Sequence, residues 1–473
     1  MLEENRSFDN VFGRFPGANG AVTATVSLGG QHSTVPLLAE PYYLWHDLGH
    51  GLDDARTSID GGAMDGYSHE TFSDVFGDRA AYQQLQPGDV PNLYALAKRY
   101  VLADNAFPLT AGPSLPSHMH TVAAQDGGVL TNPISATNAW GCDAPAGTTV
   151  QRVSAGGKIG TVAPCFGYAT LANTLDDAHL SWGYYTAPPT DYGYIWSTLD
   201  AFSRVRGSTE WTTGVHDEKT FAGDALAGRL PAFSWVTPRA IDSMHPPAPV
   251  CIGENWITRN VNAVMNGPDW SSTLIVVAFD DWGGYYDHAA PPSTSFGIRV
   301  PFLVISPYAR QGYITHRLYS FESVFRTAEE VWSLPALTTL DGTANDLLDA
   351  LDLTRTPSAP TPLALRACPP PPTSQSYRDI LDGQLNRLLR RRLKVTDAQL
   401  TTLRASQTLA QIAQARNVDL GRLTGDLKTV AAAWATGEVI LQFVKPQDLS
   451  SATYLVERSI DDFVSAPPGD IAG

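Results

Sequence analysis

A run of six apolar residues, Leu274–Phe279, is rich in β-branched side chains. A short and continuous apolar run of this kind predicts a strand that is covered on both faces of a sheet. We place this strand over Thr273–Asp280. Four other segments of similar character are predicted strands: Tyr100–Asp104, Leu180–Thr186, Ala232–Thr237 and Val300–Ser306.

Helical periodicity fills the intervals between these strands. In Ser320–Leu334 the apolar residues recur at i, i+3, i+4 and i+7, the spacing of a one-sided helix. Pro91 predicts the start of a helix that runs through Lys98, and Trp256–Met265 predicts another that ends before a Gly-Pro pair. Strands that alternate with helices predict an α/β sandwich with a mainly parallel central sheet.

A proline-rich segment divides the chain into two blocks. Residues 1–367 carry the α/β pattern, residues 368–376 form a stiff linker of polyproline type, and residues 377–473 are predicted to form a small helical appendage. Its first helix, Tyr377–Lys394, carries a basic stretch. That stretch indicates either peripheral contact with an anionic membrane or a solvated face packed on the acidic first block.

Composition narrows the class of protein. The chain has 473 residues, 43% of them hydrophobic, which is enough for a large core and excludes global disorder. The formal net charge of −16 repels nucleic-acid backbones, so we expect no nucleic-acid partner. The sequence contains no apolar run long enough to predict a transmembrane segment.

The four cysteines indicate the compartment. None forms a Cys-x-x-Cys pair, which argues against a zinc knuckle or a thioredoxin-type site. We favour two disulfides, Cys142–Cys165 and Cys251–Cys368, and therefore a secreted or periplasmic protein whose signal peptide is absent from this chain. The alternative is four buried thiols in a cytosolic protein.

Three segments carry residues suited to chemistry. The first begins at Glu4-Asn5, the second follows the predicted strand as Asp280-Asp281 and continues to His288, and the third contains Ser114 at a turn where a helix can begin. Adjacent acids beyond the end of a buried strand are costly unless a cation or a proton neutralises them. A serine at a helix N-terminus lies where free N–H groups favour a phosphate.

The order of these motifs resembles a known family. In chain order the motifs are Glu4-Asn5-Arg6-Ser7-Phe8-Asp9, Ser114-Leu115-Pro116, His245-Pro246-Pro247, and Asp280-Asp281-x-Gly-Gly-Tyr-Tyr-Asp287-His288. Three shorter motifs follow the last of these: Pro291-Pro292, Arg299-Val300-Pro301 and Ser306-Pro307-Tyr308. Over about residues 3–353 the chain resembles the bacterial and plant phosphoesterases that include acid phosphatases and non-specific phospholipases C. The resemblance implies an alkaline-phosphatase-like three-layer α/β fold.

The resemblance also implies roles for individual residues. Ser114 corresponds to the nucleophile, and Glu4, Asn5, Asp280 and Asp281 correspond to residues that line the phosphoryl and metal site. The further catalytic candidates are His50, His245, His288 and again Asp281. We expect His46, His118 and His120 to be core histidines instead.

The sequence departs from the family pattern in three places. Ser117-His118 stands where many members have Asn-Arg, so a guanidinium contact with the phosphate is in doubt. Ala248-Pro249 stands where the plant lipases have His-Asp, which argues against a plant-like lipase. Only Met1-Leu2-Glu3 precedes Glu4, whereas the family has a complete apolar strand there, so we expect a misassigned start or a shortened chain.

The expected activity is hydrolysis of a phosphate ester through a phosphoserine at Ser114, assisted by one divalent metal ion. Calcium, magnesium and zinc remain open, and oxygen-rich ligands favour the first two. The alternatives are a sulfatase or phosphonate hydrolase of the same fold, or a secreted binding protein without turnover. The sequence does not separate phosphomonoesters from phospholipid headgroups. The aromatic residues of 182–196 either enclose a choline or pack in the core.

Overall fold

A computed structural model describes residues 1–28, 30–77, 79–133 and 139–466. Its strands are β1 Leu2–Glu3, β2 Thr23–Leu28, β3 Gln31–Pro36, β4 Leu38–Ala39, β5 Gln83–Gln84, β6 Val101–Ala103, β7 Val150–Val153, β8 Ile159–Val162, β9 Trp182–Thr186, β10 Val215–Asp217, β11 Phe233–Val236, β12 Ile275–Phe279, β13 Phe302–Ile305 and β14 Tyr313–Thr315. Each of the five predicted strands contains an observed one.

The α-helices lie between the strands, and three of them coincide with the helices predicted to begin at Pro91 and to span Trp256–Met265 and Ser320–Leu334. They are α1 Phe8–Phe12, α2 Leu52–Ile59, α3 Thr71–Phe76, α4 Pro91–Arg99, α5 Ser114–Ala123, α6 Leu171–Asp177, α7 Ser203–Arg206, α8 Glu210–Gly214, α9 Phe221–Leu226, α10 Val250–Asn266, α11 Glu322–Trp332, α12 Thr339–Thr343, α13 Ser374–Leu393, α14 Asp397–Arg404, α15 Leu409–Ala415, α16 Leu420–Ile440 and α17 Leu449–Ser465. The predicted α/β fold class with a helical C-terminal region is confirmed.

The central sheet is mixed, which corrects the expectation of a mainly parallel one. Its order is β1-β12-β13-β6-β14, and β13 runs antiparallel to both of its neighbours. The reason lies in the connection from Phe279 to Phe302, which contains no helix and therefore returns the chain without a crossover. A second, three-stranded sheet, β10-β9-β11, is parallel throughout.

Helices and loops cover both faces of the central sheet. Helix α4 packs on β6 and β13, with α10 against it. On the other face, Val276 and Ala278 of β12 and Phe325 of α11 line a largely apolar cavity of about 520 Å³. The cavity's described lining does not include Glu4, Ser114 or the Asp280-Asp281 pair, so we assign it to the packing between the two sheets.

Both predicted disulfides, Cys142–Cys165 and Cys251–Cys368, are present. The second joins residue 368 to the first turn of α10 and so anchors the proline-rich segment on the α/β block. In the part of the chain that the structure describes, no helix combines the length and apolar character needed to cross a membrane.

Helices α13 to α17 pack against the segment that precedes His50. Their apolar core includes Trp45, Val75 and Phe76 from the first block, and the Tyr377 hydroxyl donates a hydrogen bond to the Trp45 carbonyl at 2.7 Å. The predicted division at residues 368–376 stays a prediction, and residues 467–473 of the predicted appendage lie outside the described part.

Three arginines of the basic stretch on α13 have partners within the protein. Arg390 pairs with Asp397, Arg391 donates to the Val75 carbonyl, and Arg392 pairs with Asp426. These contacts favour packing within the protein over contact with a membrane.

A buried ion pair joins α5 to α11. His120 Nδ1 lies 2.6 Å from Glu322 Oε1, and both side chains are almost inaccessible to solvent. Burial alone would lower the pKa of His120, but the Glu322 carboxylate outweighs it and raises the pKa of His120 to about 10. Because this pKa is raised above the unfolded value of about 6.5, the pair stabilises the fold fully below that pH.

We therefore expect His120→Gln to lower the free energy of unfolding by about 1.5–3 kcal/mol near pH 6. This cost should shrink as the pH rises through about 10, where the imidazolium loses its proton. Urea unfolding of both proteins at pH 6, 8 and 10 measures the difference, with the exposed His179→Gln as control. A cost that grows with pH would contradict this assignment.

Candidate active site

Two neighbouring parallel strands bring the acidic motifs together. β1 pairs with β12 so that Leu2 lies opposite Ala278 and Glu3 opposite Phe279. The next residues, Glu4-Asn5 and Asp280-Asp281, therefore leave the sheet at the same edge. Asn5 has a positive φ of 59°, and its backbone N–H donates to Asp280 Oδ1 at 2.9 Å. The predicted meeting of these two segments is what the structure shows.

Helix α5 starts at Ser114 and directs its first turn toward these acids. Pro113 is extended, and Pro116 is tolerated because the first-turn N–H groups of a helix have no partner within the helix. The Ser117 hydroxyl donates to the Asp280 carbonyl at 2.5 Å. His118 Nε2 lies 2.8 Å from Glu4 Oε1 and 3.5 Å from Asp280 Oδ2.

Ser114 lies on the same helical face as these two contacts. Residues three and four apart on a helix are neighbours, so Ser114 precedes Ser117 and His118 by one turn. It is buried at the helix N-terminus, where backbone N–H groups and the helix dipole favour an anion. The nucleophile candidate is thereby attached to the helix turn that contacts Glu4 and Asp280.

In each of the three carboxylates, one oxygen accepts a hydrogen bond and the other has no hydrogen-bond partner. Glu4 Oε1 contacts His118, Asp280 Oδ1 accepts from Asn5, and Asp281 Oδ1 accepts from the Gly283 N–H at 2.7 Å. Among the described residues, four buried oxygens of this site have no hydrogen-bond partner: Glu4 Oε2, Asn5 Oδ1, Asp280 Oδ2 and Asp281 Oδ2.

Buried oxygens without partners are costly, and oxygen donors of this kind are the ligands of hard divalent cations. Glu4, His118 and Asp280 moreover offer ligand atoms that lie within 4.8 Å of one another. The residues of this site therefore fit a divalent metal ion. We name Glu4, Asn5, Asp280 and Asp281 the carboxylate centre.

Electrostatics at the carboxylate centre favour added positive charge. Burial and the charge of Asp280 raise the pKa of Glu4 and of Asp281 well above the usual range. Burial would also raise the pKa of Asp280, but His118 and the Asn5 N–H outweigh it and hold that pKa below its usual value. Burial disfavours a charged His118, yet Glu4 and Asp280 raise its pKa to about 10.

A second cluster, Asp47, His50 and His245, offers ligand atoms within 4.8 Å of one another. His50 Nδ1 bonds to the Leu48 carbonyl at 2.8 Å, and His245 Nδ1 bonds to the Pro246 carbonyl at 2.7 Å. A carbonyl only accepts, so each Nδ1 carries a proton and each Nε2 is left to contact other groups.

This histidine cluster adjoins the carboxylate centre. His50 Nε2 lies 3.4 Å from Asn5 Nδ2. Burial opposes a charge on His50, but Asp47 and Asp281 outweigh it and raise its pKa to about 9. The structure therefore brings His50 close to Asn5 and Asp281, and His245 lies in the same cluster as His50.

His288 belongs to a different cluster. Its Nδ1 lies 2.6 Å from Asp9 Oδ2, and its Nε2 lies 3.1 Å from Asn19 Oδ1. Arg299 contacts both Asp9 and Asp287, so the carboxylates of this network are already paired. These contacts favour a structural role for His288 and Asp287 over the catalytic role predicted for His288.

Three residues of the site were missed in the sequence: Ser117, His118 and Asp47. His118 was expected to be a core histidine, and no role was predicted for Ser117 or Asp47. The four-residue spacing from Ser114 to His118 is the signal that identifies His118, because it places both on one face of a helix.

Arg6 holds the backbone around both clusters. Its N–H donates to the Asp281 carbonyl at 3.0 Å, and its guanidinium donates to the Met244 carbonyl at 3.0 Å, next to His245. The guanidinium also donates to both oxygens of Glu40, at 2.6 and 2.7 Å. The Arg6–Glu40 ion pair is fully buried.

Removing one charge of a buried ion pair leaves the other unpaired. We expect Glu40→Gln to lower the free energy of unfolding by about 3–5 kcal/mol. The matched control is Asp53→Asn, whose pair with Arg56 is exposed, and we expect no measurable change from it. Denaturant unfolding of the two variants tests this, and equal losses would contradict the role given to Glu40.

Comparison with known proteins identifies the family. The Phosphoesterase family profile matches residues 1–335. The chain is 22% identical over 426 residues to Phospholipase C A of Mycobacterium tuberculosis, covering 76% of this chain and 78% of that protein. It is 21% identical over 430 residues to Non-specific phospholipase C6 of Arabidopsis thaliana, covering 80% and 76%.

Solved structures are more distant. A protein in the alkaline phosphatase superfamily from Vibrio parahaemolyticus aligns with a TM-score of 0.34 and 13% identity, covering 59% of this chain and 67% of that one. Likeness at this level carries no weight for activity. The family match confirms the resemblance seen in the motifs, and it disfavours the sulfatase, phosphonate hydrolase and non-catalytic alternatives. The chain belongs to the Phosphoesterase family and is a phosphoric ester hydrolase.

Proposed function

We propose that Ser114 is the nucleophile of this phosphoric ester hydrolase and that the carboxylate centre holds one divalent metal ion. The observation that carries the proposal is the meeting of three separate segments: Glu4-Asn5, Asp280-Asp281 and the first turn of the Ser114 helix contact one another through Asn5, Ser117 and His118.

The proposed serine step is an in-line displacement. The Ser114 oxygen attacks phosphorus, the bond from phosphorus to the leaving oxygen breaks, and a phosphoserine forms, while the proton that the serine hydroxyl gives up is balanced by a proton that the leaving oxygen takes up. Water then breaks the serine–phosphorus bond and restores the hydroxyl. The helix dipole at the N-terminus of α5 stabilises the negative charge of the phosphoryl group.

The remaining residues bind and position the phosphoryl group. Glu4, Asn5, Asp280 and Asp281 would hold the cation, which would supply Lewis-acid polarisation of the phosphoryl oxygen and of the Ser114 hydroxyl. We assign Asp281 both to the metal ligands and to the catalytic residues. One of its oxygens has no hydrogen-bond partner and is available for either role. His50 and His245 bind phosphoryl oxygens, or one of them donates a proton to the leaving group. Oxygen ligation favours calcium or magnesium over zinc.

We further propose that the substrate is a phosphodiester of a lipid headgroup. The names of the relatives support this choice, because those proteins are phospholipases C. Trp182, Tyr184 and Tyr185 are buried in hydrophobic clusters, which favours packing for them. Trp196, whose ring centroid lies 5.9 Å from that of His245, is buried in a hydrophobic cluster as well, so packing is favoured for it too.

The substrate class is tested by comparing rates on an aryl phosphate, an aryl phosphodiester and phosphatidylcholine vesicles from acidic to alkaline pH. A preference for the monoester would overturn the headgroup assignment and leave the serine mechanism intact.

We also propose a secreted or periplasmic location, which the two disulfides support.

We expect Ser114→Ala to lower kcat on all three substrates by roughly 10³-fold or more, because the nucleophile is lost. Ser323→Ala, which also removes a buried hydroxyl from the first turn of a helix, is the matched control. Steady-state rates measure both, and a phosphoserine trapped by acid quenching identifies the intermediate. Equal rates in native protein and Ser114→Ala would remove this serine from the mechanism.

We expect exhaustive chelation to abolish hydrolysis and to lower the melting temperature, because the carboxylate centre loses its counter-charge and a bound ligand stabilises the native state. Adding back calcium, magnesium or zinc one at a time should restore both properties for the preferred ion. Undiminished activity after chelation would defeat the metal half of the proposal.

A further inference from the structure

His118 belongs to α5, the helix that carries Ser114, and its side chain contacts the carboxylate centre. Its side chain is almost completely buried, and its Nε2 reaches Glu4 Oε1 at 2.8 Å and Asp280 Oδ2 at 3.5 Å. No role in metal binding or catalysis was predicted for it. Glu4 and Asp280 come from the ends of β1 and β12, so this one imidazole contacts both acidic segments.

Each acid of the carboxylate centre has a different group holding one of its oxygens. Backbone N–H groups hold Asp280 and Asp281, through Asn5 and Gly283 respectively. Glu4 is held instead by the side chain of His118. Glutamate has one more rotatable bond than aspartate, so its free oxygen is the one whose position depends most on a side-chain partner.

Helix geometry links this contact to Ser114. Ser114 and His118 are four residues apart on α5, and Ser117, between them, donates to the Asp280 carbonyl. A hydrogen bond from His118 to Glu4 therefore fixes the separation between the Ser114 turn and the acids that lie opposite it.

We propose that His118 is a positioning residue: its Nε2–H holds one oxygen of Glu4 so that the other oxygen is oriented to bind the divalent cation. The inference rests on the proposed function, because it assumes that the carboxylate centre binds a cation. Hydrogen-bond partners of metal ligands commonly contribute 10–100-fold to metal affinity.

Two substitutions separate a positioning role from other roles. In His118→Gln the amide nitrogen of the new side chain can reach the place of the imidazole Nε2 and donate the same hydrogen bond, whereas the shorter amide of His118→Asn reaches only about as far as Nδ1. We expect His118→Asn to lose about 10–100-fold in cation affinity, and His118→Gln to keep most of it.

The measurement is calorimetric titration of the chelated, full-length protein with calcium, magnesium or zinc alone, in the absence of substrate. His120→Gln is the matched control, because His120 is equally buried on the same helix but pairs with Glu322. Thermal unfolding confirms that each variant is folded. At saturating cation, kcat of His118→Asn should recover in part, since the group it lacks does not touch the substrate.

Three results would overturn the inference. Native affinity in His118→Asn would show that Glu4 needs no such support, and equal losses in the Gln and Asn variants would indicate that the imidazole nitrogen itself binds the metal. If the native protein binds none of the three cations, the positioning role fails as well. Ser114→Ala reports separately on the proposed function, because it tests turnover of the phosphate esters, whereas the His118 variants are compared by cation affinity in the absence of substrate.

Discussion

Two strands that end side by side place three buried carboxylates and one buried amide close together. Confining carboxylates in this way is unfavourable unless hydrogen bonds and positive charge compensate. The surrounding structure meets this constraint with the backbone N–H groups of Asn5 and Gly283 and with the imidazole of His118. Unpartnered oxygens of Glu4 and Asp280, which lie in one group of possible metal ligands, account for the fit to a divalent cation.

Residues outside the carboxylate centre also stabilise this site. Arg6 ties the backbone at Asp281 to that at Met244, and its charge is balanced by Glu40. The C-terminal helices contribute as well. Tyr377 bonds to the Trp45 carbonyl, and Ile440 packs in one cluster with Trp196 and Ala248. The helical region thus stabilises the segments that carry both histidines of the second cluster.

Histidines that look equivalent in the sequence have separate roles in the structure. His50 and His245 adjoin the carboxylate centre, His288 closes an ion-pair network around Asp9 and Arg299, and His118 and His120 face different partners from one helix. Apart from the four-residue spacing between Ser114 and His118, nothing local distinguishes them, because each lies beside ordinary turn or helix residues. Their roles depend on carboxylates that are distant along the chain, and so the histidine assignments were the weakest of the sequence-based predictions.

The sequence by itself determined the five main strands, the principal helices and the motifs of the site. These depend on local periodicity, turn chemistry and recognisable motif order. Only the tertiary structure decided the antiparallel direction of β13, the oxygen that each acid leaves free, and the position of His118 between Glu4 and Asp280. The physical reason is distance along the chain: residues 114 and 275 positions apart meet in those contacts, and no local preference encodes such a meeting.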